Sequence, residues 1–161
     1  MPPATRHCKD DDRRDDHEVT SFVFLGYQFR PRLAKNKYGK HFVSFLPAVS
    51  KEAIKAMGAE IRSWHWARRS DKSLGDLALM FNSIVQGWIN YYGRFYRSEL
   101  RFLAWRIKEH LTRWAMHKFK RFRGKYAKAM AWLQKVYHHQ PRLFAHWRLI
   151  AFTAGRTVGA G

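Results

Sequence analysis

Cysteine is nearly absent from this sequence, and so are acidic residues once the first twenty positions are passed. Cys8 is the single cysteine in 161 residues, so no internal disulfide can close and no CxxC pair is available to hold zinc. That usage suits a reducing compartment, and the expected localisation is cytoplasmic. Twelve Asp+Glu face 31 Lys+Arg. Six of the twelve acids lie within residues 1–20, and the remaining six, Glu52, Glu60, Asp71, Asp76, Glu99 and Glu109, stand apart along the chain. Paired carboxylates of the kind that hold two metals or divide acid and base roles therefore find no support in sequence proximity. No apolar run approaches the roughly 18 residues of a membrane span, and the N-terminus, with Asp10-Asp11-Asp12, lacks the basic-then-apolar order of a signal peptide. A soluble chain without membrane contact is expected. Neither a P-loop nor a GxGxxG fingerprint occurs, so no nucleotide cofactor is implied. The nine histidines are scattered among aromatics and cations, and the neighbours His138 and His139 point to different helix faces; no metal site and no catalytic residue is assigned.

What is plentiful is positive charge and aromatic surface. The formal charge is +19, and residues 21–161 carry +21 because the first twenty are net −2. A small body so charged repels itself unless a polyanion or salt neutralises it. At 46% hydrophobic and 16% aromatic, the chain still has enough apolar surface to build a core for one domain.

Residues 1–20 read as a polar tail. The segment 21–29 (SFVFLGYQF) and the segment 41–46 (HFVSFL) are β-branched and aromatic and flank a polar stretch able to turn at Asn36 or Gly39, which predicts one β-hairpin over 21–46. After Pro47 the apolar period becomes helical. Ile54, Met57, Ile61 and Trp64 mark a first helix over about 50–66, capped by Ser50. A Ser73/Asp76 capping box opens a second helix, and Leu100, Leu103, Ile107, Leu111 and Trp114 stripe a third over about 96–121. A short fourth helix precedes Pro141, the apolar segment 143–152 packs back, and residues 149–161 form a flexible C-terminal tail. The fold class is mainly α: a β-hairpin followed by a helical bundle over 50–148, with Trp64, Trp88, Leu103, Ile107 and Trp114 in its core.

Twelve cations crowd residues 94–128 against two acids, more than solubility needs, and like charges one helical turn apart destabilise a helix on its own. Phosphate is the natural counter-charge, because Arg pairs with it bidentately and stacks on bases. The phosphate candidates are Arg62, Arg68, Arg69, Arg94, Arg97, Arg101, Lys118, Lys120, Arg121 and Arg123. Tyr91, Tyr92 and Tyr96, interleaved with cations, are the candidates for stacking on unpaired bases, which points to RNA.

Four segments carry a family resemblance: Cys8-Lys9-Asp10-Asp11 with Phe24-Leu25-Gly26-Tyr27-Gln28-Phe29-Arg30-Pro31-Arg32; Ile61-Arg62-Ser63-Trp64; Gly87-Trp88-Ile89-Asn90-Tyr91-Tyr92-Gly93-Arg94-Phe95-Tyr96; and Trp132-Leu133 with Leu143-Phe144-Ala145-His146-Trp147. In these the chain resembles the reverse transcriptase/maturase proteins encoded by group II introns, over their C-terminal part: the palm end, the thumb and the maturase-specific domain X. The resemblance implies that residues 1–20 are an orphaned palm segment, that the helices form a thumb-like bundle, and that the partner is group II intron RNA. The 161 residues hold no Tyr-x-Asp-Asp polymerase loop, so the chain is expected not to be an enzyme on its own. The leading expectation is a truncated maturase-like protein that binds intron RNA and assists its splicing. The alternative is the distal half of a split reverse transcriptase that needs a separate polymerase half for catalysis.

Overall fold

The computed structural model describes residues 21–150; the expected N-terminal tail or palm segment (1–20) and residues 151–161 of the expected C-terminal tail lie outside them. Four helices carry nearly half of the described chain: α1 (Lys51–Ser63), α2 (Leu74–Tyr92), α3 (Arg101–Lys118) and α4 (Tyr126–His139). A small antiparallel strand region precedes them, so the fold is mainly α as expected.

The strand region differs from the single hairpin read from the sequence. The segment 21–29 folds back on itself: β1 (Phe22–Phe24) pairs with β2 (Tyr27–Phe29), and β2 also pairs with β5 (Ala48–Val49). A separate hairpin joins β3 (Arg32–Lys35) to β4 (His41–Ser44), with Leu33 opposite Val43. The cause is the dipeptide Leu25-Gly26, whose φ values of 50° and 77° are both in the left-handed region that a tight two-residue hairpin turn demands. A Cβ on Gly26 would also lie 2.6 Å from the Tyr92 hydroxyl, so α2 closes against the turn only because that residue has no side chain.

Helix starts follow local chemistry. Ser50 Oγ accepts the Ala53 N–H at 3.1 Å to begin α1. At α2, Ser73 Oγ accepts the Asp76 N–H at 3.1 Å while Asp76 Oδ2 accepts the Ser73 N–H at 2.8 Å, a complete capping box. Those bonds from Ser73 hold the Asp76 carboxyl below its ordinary range.

Helix ends are shorter than periodicity suggested. α1 stops at Ser63 because His65 takes a left-handed conformation (φ 49°, ψ 48°) and starts a 3-10 turn over Trp66–Arg68. α3 is bounded by 3-10 turns at Arg97–Leu100 and Lys120–Phe122. It ends where Phe119 becomes extended and turns its ring toward Trp114, Phe122 and Trp132, at 5.1–6.0 Å between centroids.

α3 is the centre of the core. Leu103, Ala104, Ile107, Leu111, Trp114 and Ala115 on it are all at most 1% exposed. Trp64 stacks on Phe81 at 4.3 Å and runs nearly parallel to Trp88 at 5.8 Å, with Trp88 half-buried at the edge of that stack rather than inside it. The C-terminal segment packs back through residue 150: Phe144, Ala145, His146, Trp147, Leu149 and Ile150 are buried, so Leu149 and Ile150, expected at the start of the flexible tail, instead join the core because their apolar side chains pack into it. Asn82 on α2 clamps it, with its Nδ2 donating to Leu143 O at 2.8 Å and its Oδ1 accepting the Ala145 N–H at 3.0 Å.

Candidate nucleic-acid interface

The α1–turn–α3 junction gathers cations that lie far apart in sequence. Arg106 and Arg113 are two turns apart on α3, with His110 between them, and all three line one open cleft of about 580 Å³ with Arg62 of α1, Phe102, Trp105 and Glu109. A second hollow of about 360 Å³ shares Arg62, His110 and Arg113 and adds His65, Arg68 and His117. The two form one basic furrow.

Gly58 makes room for two of its arginines. A Cβ built there would fall 2.6 Å from Arg106 Nη1 and 3.6 Å from Arg62 Nη1, so the missing side chain lets two guanidinium groups converge on the α1 backbone. Neither makes an ion pair among the described residues. Glu109, the one carboxylate lining the cleft, lies 3.7 Å from Arg113 and also accepts the Tyr126 hydroxyl. Burial, then the bond to Glu109, pushes the Tyr126 phenol up to about 12, so it stays a donor. His110 is half-buried, and burial first, then Arg113 and Arg106, hold its imidazole below the ordinary histidine range. It is therefore neutral at pH 7 and offers a hydrogen bond rather than charge.

The sequence-derived candidates do not form one site. Arg62 and Arg68 are exposed and line the furrow. Arg94, Arg97 and Arg101 are exposed around the α2–α3 junction, and Arg101 lines a smaller cleft with Trp105, Leu149 and Ile150. Lys120, Arg121 and Arg123 are exposed on the turn between α3 and α4, where Arg121 sits 4.5 Å over the Phe122 ring.

Two candidates are occupied by the protein itself. Arg69 donates through Nε to Trp64 O at 2.7 Å, and Lys118 Nζ donates to Ser70 O and Lys72 O at 2.8 Å each. With Trp114 Nε1 bonded to Arg69 O at 2.9 Å, they hold the linker between α1 and α2. The tyrosines are engaged as well: Tyr91 donates to Leu25 O at 3.0 Å and accepts from Tyr27 at its backbone carbonyl, Tyr92 packs on Gly26 and Tyr27, and Tyr96 lies 5.4 Å beneath the Arg32 guanidinium. They join α2 and the turn that follows it to the strands.

Trp105, Arg106, His110 and Arg113 were not among the candidates. Their signal was present, since Arg106, His110 and Arg113 follow one another at spacings of four and three and so mark one face of α3. That face became a cleft only once α1 crossed it.

Neither a curated protein nor a solved structure matches the chain. Among the described residues no helix is long and apolar enough to cross a membrane, and no group of three or more metal-ligating side chains occurs. The family described as "Group II intron, maturase-specific domain" matches residues 54–137, just over half of the sequence and the stretch running from α1 through α4. With its basic furrow, its four helices and that match, the chain belongs to the group II intron maturase-specific domain family.

Proposed function

We propose that this protein binds group II intron RNA through its helical region and assists splicing by holding the RNA in its active fold, with no bond-making of its own. The observation that carries this reading is the furrow, where Arg62, Arg106 and Arg113 converge with Glu109 as their one nearby carboxylate. Such a surplus is stable when a polyanion supplies the missing negative charge. The exposed cations of the α3–α4 turn and the α2–α3 junction extend the contact to further phosphates. The intron RNA supplies the transesterification chemistry in this reading, and the protein supplies binding energy.

The test is a binding titration with intron RNA across a salt series. Each phosphate neutralised contributes about −0.7 to −0.9 to the slope of log K against log salt, so four or more contacts give a slope steeper than about −3. A companion splicing assay at limiting magnesium reads the assistance directly. Salt-insensitive binding, or splicing unchanged by the protein, refutes the reading.

A specific observation favours a second reading, the distal half of a split reverse transcriptase. Large apolar side chains of the strand region are exposed, Phe22 at 58%, Phe24 at 61%, Leu33 at 74% and Val43 at 66%, a pattern that suits coverage by another chain. Deoxynucleotide incorporation by a separately encoded polymerase half, strongly enhanced by adding this protein, would favour it.

A further inference from the structure

The α1–α3 furrow contains something a plain phosphate-binding surface does not need. Trp105 is 51% exposed although its neighbours Leu103, Ala104 and Ile107 are at most 1% exposed. It stands at the lip of the 580 Å³ cleft and also borders the smaller cleft beside Arg101. Lys108 Nζ lies 3.6 Å from the centroid of its ring, leaving a cation against one side of the indole while the exposed half borders the cleft. An exposed tryptophan costs hydration, and large aromatics flanked by cations are how proteins hold unpaired bases. The cleft volume falls within the roughly 300–1,000 Å³ range of sites that enclose a small ligand.

The same cleft supplies the other half of a nucleotide's chemistry. Arg62 and Arg106 converge over Gly58 with no carboxylate partner among the described residues, and they can take a phosphate bidentately. Neutral His110 and Glu109 line the same cleft and are the polar groups that could meet a base edge.

We infer that the cleft between α1 and α3 is a slot for one unstacked nucleotide of single-stranded or bulged RNA, with its base against Trp105 and its phosphate on Arg62 and Arg106. The inference rests on the RNA-binding reading above and sharpens it: the furrow tells unpaired RNA from duplex. A-form duplex keeps its bases stacked and presents only phosphate and sugar, so it can use the arginines but not the indole.

The experiment uses the full chain and two labelled probes, a 12-nucleotide oligouridylate and a 12-base-pair RNA duplex, titrated by fluorescence anisotropy over a salt series. Trp105→Ala weakens oligouridylate binding about tenfold and changes duplex binding less than twofold, while Trp105→Phe restores most of the single-strand affinity. Arg106→Gln weakens both probes and reduces the salt slope by about one. Because Trp105 is half exposed, its replacement leaves the core intact, and a circular-dichroism melt of each variant checks this. If Trp105→Ala leaves oligouridylate binding within twofold, or weakens both probes equally, the slot is overturned while RNA binding by the furrow stands. If neither probe binds with a salt slope, the RNA-binding reading itself falls and the slot with it.

Discussion

Acidification from pH 7 to pH 5 should cost this fold about 2 kcal/mol through a single side chain. His146 is 1% exposed, and Nε2 has no hydrogen-bond partner among the described residues. It is wedged beside Phe144 and Trp147, and that burial pushes the imidazole down to about 3. In the unfolded chain the same group titrates near 6.5. The unfolded state therefore binds the extra proton between about pH 6.5 and pH 3, and stability rises with pH across that window and falls on acidification. At pH 5 the unfolded imidazole is almost fully charged and the folded one almost fully neutral. The linkage comes to roughly 1.5 pH intervals of about 1.4 kcal/mol each, or about 2 kcal/mol. The Asp76 carboxyl, lowered by Ser73, contributes only where the unfolded carboxylate begins to protonate, near and below pH 4, so it does not confuse the measurement. His110, also lowered by burial, contributes equally to parent and variant. Urea unfolding followed by circular dichroism at pH 7 and pH 5, on the parent and on His146→Leu, isolates the effect: the variant should lose about 2 kcal/mol less on acidification. Equal losses would show that His146 is not buried neutral and that the back-packed segment is open.

The Asn82 clamp should be the most economical way to loosen the C-terminal segment. Asn82→Ala strands Leu143 O and Ala145 N–H and should cost about 2–4 kcal/mol, with hydrogen exchange rising first around residues 143–149. Trp114→Ala removes a fully buried ring that also bonds Arg69 O and should cost about 3–5 kcal/mol, whereas half-buried Trp88→Ala should cost less than half of that, both read by urea denaturation. Replacing Lys120, Arg121 and Arg123 together by Ala should weaken intron RNA binding and flatten its salt slope by two to three while shifting the melting temperature little, since all three are exposed. An unchanged slope would remove that turn from the interface.

Local rules account for much of this molecule. The Ser50 cap, the Ser73/Asp76 capping box and the stripe from Leu100 to Trp114 are consequences of spacing within a few residues, and each was legible because its cause is local. The strand pairing was not, because alternation identifies strands without saying which partner each takes. The two positive φ values at Leu25-Gly26 decided that, aided by Tyr91 and Tyr92 closing over the turn. The same distinction separates the candidate residues. Charge counting found Arg62 and Arg68, but it equally chose Arg69 and Lys118, whose polar atoms the fold spends on the linker. It passed over Arg106 and Arg113, which look like two more cations on a basic helix until α1 brings Gly58 beneath one of them.

The sequence by itself determined the mainly helical class, the excess of positive charge and the family, since these follow from composition, from periods of three and four residues and from short motifs. Tertiary structure alone decided which cations face a partner and which serve the fold, because a guanidinium or ammonium group becomes a binding site or a brace according to what the crossing helices place within about 3 Å of it.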